Sequence, residues 1–137
     1  MRTNSPSRAA VGKMLATESV DTEDRLPLAY RMTVELKAED ITRAAVLQGL
    51  RGIAEPTRVR ACCRRFEVYQ AADDPNALLL VEEWESQEAM NAHIRSRDFR
   101  VVLSVIDMSS ETPRVQFDMI AATEGLAMLT DFLLSAD

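Results

Sequence analysis

The chain has 137 residues, of which 47% are hydrophobic and 28% charged. This length and balance predict one soluble globular domain. The net charge of -6 argues against a general attraction to nucleic acids or anionic lipids. No apolar run approaches the roughly 18 residues that cross a membrane. We therefore expect no nucleic-acid partner, no membrane partner and a cytoplasmic location.

The cysteines and the histidine are too few for the common metal and disulfide frameworks. Cys62 and Cys63 are adjacent, and His93 is the single histidine. Neither a set of paired disulfides nor a zinc site built from protein ligands alone is readily assembled from them. We therefore expect reduced thiols and no bound metal.

Residues 1–27 differ from the rest of the chain, because they are rich in Ser, Thr, Asp, Glu and Arg and carry little apolar periodicity. We predict that they form a flexible N-terminal arm, with at most a short helix from Ala9 to Leu15 that Gly12 weakens. The domain prediction is accordingly one folded domain over residues 28–137.

The first predicted elements of this domain are a strand and a helix. Apolar residues alternate with polar ones from Tyr30 to Lys37, which is the pattern of a half-buried strand. Asp40 is placed to cap a following helix with one apolar stripe, and Pro56 is expected to end it.

A hairpin comes next, with strands from about Cys63 to Gln70 and from Ala77 to Glu85 around a turn at residues 73–76. The segment Leu78–Val81 is apolar on both faces of its strand. Helices can cover one of those faces, so something else must cover the other.

The second half repeats the helix and strand order. Ser86 is placed to cap a helix that carries His93 on its apolar face, and a second amphipathic segment starts at Phe99. Val115 begins an alternating strand, and Thr123 is a candidate cap for a terminal helix.

The order β-α-β-β-α-β is that of the ferredoxin-like α+β fold, an antiparallel sheet with its helices on one face, and an extra C-terminal helix follows. The other face of the sheet stays open. Because Leu79 and Val81 lie on it, we predict a homodimer in which two sheets pack through their open faces.

The segment from Cys63 to Phe99 also resembles a known family. It reads C-R-R-F-E-V-Y-Q, then D-D-P-N, then L-L-L-V-E-E-W-E-S, then A-M-N-A-H-I-R-S-R-D-F. This ordered string is similar to the antibiotic biosynthesis monooxygenase family, whose members are dimeric α+β barrels. Two positions depart from the family pattern, since Ala61 stands where the family has proline and Cys62 where it has glycine.

Four residues are candidates for a site. His93 could take a phenolic proton as a catalytic base, or it could be a core histidine. Trp84 could form an aromatic wall for a substrate, although a lone strand tryptophan is commonly core. Tyr69 could form a second wall, and Arg65 could hold a phenolate, although a solvent-exposed arginine is the simpler reading.

The resemblance implies a cofactor-independent monooxygenase that oxidises a phenolic, hydroquinone or anthrone-type aromatic with O2. Haem degradation, known in relatives, is disfavoured because Leu103 stands where a histidine ligand is expected. The alternative is a non-catalytic dimeric module of the same fold that binds a small molecule or serves a stress response.

Overall fold

The computed structural model describes residues 28–135. Ala29–Ile120 form one compact unit, whereas residues 121–135 belong to a second unit and are described by themselves. The predicted N-terminal arm and the predicted helix from Ala9 to Leu15 lie outside the described residues.

The sheet unit contains the predicted order of elements and confirms the ferredoxin-like α+β fold. The sheet has the order β2-β3-β1-β4, and each neighbouring pair is antiparallel. The elements are β1 (Ala29–Lys37), α1 (Asp40–Arg58), β2 (Cys63–Ala71), β3 (Asp74–Trp84), α2 (Gln87–Ile94), α3 (Phe99–Asp107) and β4 (Arg114–Ile120).

The core lies between one face of the sheet and the helices. Because side chains alternate along a strand, every second residue of β1 and β3 points to the helices. Apolar residues from α1 and α3 complete this layer. The buried apolar members are Met32, Val34, Leu36, Val46, Leu50, Ile53, Phe66, Leu78, Leu80, Trp84, Met90, Phe99, Val102 and Val105.

Helix α1 departs from two expectations at its ends. Pro56 lies inside the helix, which continues to Arg58. Only two helical residues follow it, so the single i→i−4 bond that proline removes disturbs the last turn alone. Asp40 is the first helical residue and not the cap; Glu39 occupies the cap position, without a side-chain hydrogen bond.

Helix α2 begins as the sequence predicts. The Ser86 hydroxyl oxygen accepts a hydrogen bond from the Ala89 backbone N–H at 3.1 Å. This bond satisfies one of the amides that the first turn leaves unpaired. It also fixes the start of the short helix that carries His93.

The open face of the sheet and the edge strand β4 both expose side chains. On the open face, Leu79 is half-buried and Val81 is buried. Val115, Phe117 and Met119 lie on the helix side of β4, since they pair with inward-facing residues of β1, yet they are 43%, 56% and 69% exposed. The helix side of β4 is thus an apolar surface that no other element of the Ala29–Ile120 unit covers.

The second unit contributes one described helix, α4 (Leu126–Leu134). Its cap position is Gly125 and not the predicted Thr123. None of its residues is buried, although most of them are large and apolar. No helix among the described residues is long and apolar enough to span a membrane.

Candidate functional site

A buried contact between the Glu82 carboxylate and the His93 imidazole joins β3 to α2. The Nε2 atom of His93 lies 3.1 Å from Glu82 Oε1 and 3.2 Å from Oε2. The exposed fractions of the two side chains are 0% and 1%. Glu82 is placed on the helix side because it is two residues before Trp84 on the same strand. A carboxylate and an imidazole are therefore held together in the core.

Two aromatic rings complete this cluster. The indole Nε1–H of Trp84 donates to Glu82 Oε1 at 3.1 Å. The indole and imidazole rings stack with centroids 4.7 Å apart and an interplanar angle of 29°. Phe99, the first residue of α3, places its ring edge-on to the imidazole at 5.3 Å. His93 is consequently fixed by one carboxylate and two rings.

These contacts determine which nitrogen of His93 is free. An ionised carboxylate only accepts hydrogen bonds, so Glu82 is matched by the N–H groups of Trp84 and of His93 Nε2. In the neutral imidazole, the proton then sits on Nε2 and the lone pair on Nδ1. His93 Nδ1 is buried and has no hydrogen-bond partner among the described residues. Nδ1 is thus the atom with the capacity to accept a proton.

Access to this cluster is closed. Trp84 and His93 are 1% and 0% exposed, and neither lines either of the two surface cavities described below. The sequence-based hypothesis joined the two side chains at an open pocket. The structure brings them together, but a substrate could reach them only after local opening of the cover that includes Phe99.

The other two candidate residues lie on the opposite face of the sheet. Arg65 pairs in register with Glu83, whose side chain points to the open face. Arg65 donates to Glu83 at 3.3 Å and to the Tyr69 hydroxyl at 2.8 Å, and Arg31 Nε donates to the same Glu83 oxygen at 2.8 Å. Hydrogen bonding to Tyr69 raises the pKa of Arg65. The structure thus separates Tyr69 and Arg65 from His93 and Trp84.

Tyr69 also lines a cleft of about 520 Å³ at one end of the sheet. Open-face residues Glu35, Lys37 and Leu79 contribute to its lining. Lys37 is bonded to Asp74 at 2.9 Å, which raises the pKa of Lys37 and lowers that of Asp74. The cleft has room for a small molecule.

The loop before β2 has the conformation of a glycine position. Cys62 has a φ of +72°, in the left-handed region that a residue with a Cβ adopts at a cost. Its carbonyl accepts the Glu85 backbone N–H at 2.9 Å, which ties the loop to the end of β3. The position at which a cysteine replaces the glycine typical of the resembled family therefore keeps the glycine-like backbone.

Glu82 is the residue that the sequence interpretation missed. Alternation along β3 puts the adjacent Glu82 and Glu83 on opposite faces, so they do not form a carboxylate pair. The same alternation puts Glu82 on the face of Trp84, but its contact with His93 depends on how α2 packs onto that face. Among the described residues, no group of three or more His, Cys, Asp or Glu side chains could hold a metal ion.

The fold and the buried cluster together define a ferredoxin-like α+β protein with an imidazole and a carboxylate between sheet and helices. A family model described as antibiotic biosynthesis monooxygenase matches residues 29–103, more than half of the chain. The protein belongs to this family. No curated protein sequence resembles it closely enough to count as a relative.

Solved structures show the same fold at low sequence identity. A candidate antibiotic biosynthesis monooxygenase from Deinococcus radiodurans is 18% identical with a TM-score of 0.63, covering 71% of this chain and 97% of its own. One from Nitrosomonas europaea is 19% identical with a TM-score of 0.63, covering 72% of this chain and 96% of its own. A protein from Mycobacterium tuberculosis is 21% identical with a TM-score of 0.61, covering 72% of this chain and 98% of its own.

Proposed function

We propose that the protein is a cofactor-independent monooxygenase that oxidises a phenolic, hydroquinone or anthrone-type aromatic with O2. The observation that carries the proposal is the His93–Glu82 contact, which leaves Nδ1 of a neutral His93 free to accept a proton. Family membership supports an oxidoreductase of this type. The substrate class is the one that the family resemblance implies, and a histidine base beside an aromatic side chain fits such a substrate.

The proposed reaction begins with removal of an acidic proton from the substrate by His93 Nδ1. Glu82 stabilises the imidazolium that results, since its carboxylate accepts the Nε2–H. The electron-rich anion then reduces O2. For an anthrone, one oxygen atom enters the ring as a carbonyl, and the other leaves as water with the two hydrogens of the methylene group. The substrate itself supplies the electrons.

Trp84 has the role of a substrate wall in this proposal. Its indole is already stacked on His93, so a planar substrate would enter beside that stack after Phe99 moves aside. Tyr69 and Arg65 face the other side of the sheet. We propose that Tyr69 contacts an aromatic molecule at the cleft on the open face, away from His93. Arg65, which does not line the cleft, would act there through the Tyr69 hydroxyl to which it donates.

Oxygen uptake with a panel of anthrones and hydroquinones tests the proposal. We expect consumption above the uncatalysed rate for at least one compound, and a fall of about 10²- to 10⁴-fold in turnover for His93→Ala. Gln87→Ala, an exposed change on the same helix, is the matched control. Full turnover by a folded His93→Ala protein would remove the histidine from the mechanism.

A second candidate is a non-catalytic binding module of the same fold. The specific observation in its favour is the burial of both Trp84 and His93, because a cluster that never opens is a structural one. This candidate predicts no oxygen consumption across the panel and saturable binding of one aromatic compound. The same oxygen measurement therefore separates the two functions.

We also propose that the protein forms a homodimer through the open face of the sheet, since proteins of this family typically dimerise. Leu79 offers apolar area at the centre of this face, among charged side chains of both signs. The exposed Phe117 lies on the other apolar surface, the helix side of β4, which is the alternative dimer interface. Light scattering of Leu79→Glu and Phe117→Glu distinguishes the two interfaces: the proposal expects only Leu79→Glu to yield monomers.

A further inference from the structure

A second concave surface lies between α1 and the edge strand β2, away from the Glu82–His93 cluster. It is a groove of about 310 Å³ whose lining includes none of Glu82, Trp84, His93 or Phe99. This volume is at the lower end of the range for small-molecule sites. Because β2 is an edge strand, no further strand covers this side of the sheet.

The floor of the groove is apolar. Leu47, Leu50 and Ala54 contribute from α1, and Val68 contributes from β2. Leu50 is buried in the core, and the other three pack partly buried against it. A flat apolar molecule would therefore find an apolar floor here.

The basic residues of the groove are Arg51 and Arg58, one helical repeat of seven residues apart on α1. Arg58 is held in place: its Nε donates to the Phe66 carbonyl at 3.0 Å, and its guanidinium approaches Glu67 at 3.4 Å. Arg51 is exposed and has no hydrogen bond or ion pair within residues 28–135. Glu67 in the lining and Glu55 beside it, at 3.6 Å, both approach Arg58, so Arg51 is the basic side chain of the groove that no carboxylate pairs within the described residues.

We propose that this groove binds a small aromatic carboxylate. Its ring would lie on the apolar floor, and its carboxylate would meet the unpaired guanidinium of Arg51, a planar group that matches two carboxylate oxygens. The site is separate from the proposed oxidation site.

Titration of the ¹⁵N-labelled protein with 1-naphthoate tests this inference. The backbone amides of residues 47–54 and 67–70 should shift together. Arg51→Gln should raise the dissociation constant about tenfold, as expected for loss of one charge-assisted hydrogen-bonding partner. Arg100→Gln, which removes an exposed charge from α3, should leave the constant within about twofold of the wild type, since surface charges outside the groove are screened.

Two further measurements keep the outcome decisive. Ala54→Phe fills the groove without changing its charge and should weaken binding at least as much as Arg51→Gln. The neutral isostere 1-naphthalenemethanol should bind more weakly than the acid. The inference is overturned if millimolar naphthoate shifts none of these amides, if the shifts cluster on α2 or α4 instead, or if both groove variants bind like the wild type. None of these results depends on whether the protein consumes oxygen.

Discussion

The Trp84 indole stacks on the imidazole of His93 with ring centroids 4.7 Å apart. Because Trp84 is the single tryptophan of the chain, tryptophan fluorescence reports on this stacked pair and on no other part of the protein. The stack is sealed in the structure described. Its exposure to solvent therefore measures how readily the proposed oxidation site opens.

Phe99→Ala should open the cluster. The ring of Phe99 contacts His93 edge-on, and its removal leaves a cavity beside the imidazole. We expect acrylamide to quench the fluorescence of Trp84 weakly in the wild type and several-fold more strongly in the variant. The free energy of unfolding should fall by about 3–5 kcal/mol. Phe117→Ala, at an exposed site on β4, serves as the control; equal quenching in both variants would contradict the assignment of Phe99 as the cover.

Glu82→Leu should destabilise the fold strongly, because it leaves two buried N–H groups, on Trp84 and His93, without their acceptor. Removal of one partner from a buried pair typically costs about 3–5 kcal/mol. Urea denaturation measures this change. Glu85→Leu, at the exposed position that follows β3, should alter stability by less than about 0.5 kcal/mol. A loss for Glu82→Leu no larger than that of the control would show that the buried contact contributes little.

Glu82→Gln keeps the size of the side chain and tests positioning in catalysis. The amide can no longer stabilise an imidazolium at His93, so we expect turnover to fall about 10²-fold, with a smaller change in KM. Stopped-flow measurement of anthrone oxidation gives both constants. A rise in KM with unchanged turnover would indicate that Glu82 affects binding and not proton transfer.

Cys62→Gly should stabilise the protein. The φ of +72° is unfavourable for a residue with a Cβ, by about 1–2 kcal/mol, and glycine loses part of that gain through its greater freedom in the unfolded chain. We expect a net gain of about 0.5–1 kcal/mol in urea denaturation. Cys62→Ala keeps the Cβ and should show no such gain. A destabilised Cys62→Gly protein would mean that the thiol makes a favourable contact.

The two cysteines should differ in reactivity. Cys62 is exposed, whereas Cys63 is half-buried, and burial raises the pKa of the Cys63 thiol above its ordinary value of 9.0. Ellman's reagent should therefore modify Cys63→Ala protein faster at neutral pH than Cys62→Ala protein. Because the folded pKa is raised, the stabilising effect of a neutral Cys63 is complete below pH 9 and is lost as the pH rises through the folded pKa. Equal reaction rates would contradict this difference.

Much of the fold could be predicted from periodicity. The four strands and the helices after Asp40, Ser86 and Phe99 follow the apolar patterns, because one-sided burial imposes a period of 2 or 3.6 on the sequence. The predicted turn at residues 73–76 was wrong in its bounds, since β3 already begins at Asp74 and the turn lies at residues 72–73. The ends of α1 were less predictable. Pro56 is a helix breaker by propensity, but the single i→i−4 bond that it removes lies in the last turn, where no further turns have to be held.

The site was predictable only in part. The apolar face of α2 correctly indicated that His93 points at the sheet, and strand alternation correctly put Trp84 on the face toward it. Pairing with Glu82 depends on how α2 packs across β3, which no local pattern specifies. Arg65 and Tyr69 lie on the other face by the same alternation, so grouping them with Trp84 required a pocket that spans both sides of the sheet.

Oxidation under ¹⁸O2 tests the central claim most directly. The purified protein, without added metal or cofactor, is given an anthrone, and the quinone product is analysed by mass spectrometry. Our account predicts one ¹⁸O atom per product molecule and a rate that falls about 10²-fold or more in His93→Ala. A product formed at the same rate by the wild type and the variant, or no conversion of any anthrone or hydroquinone, would contradict it.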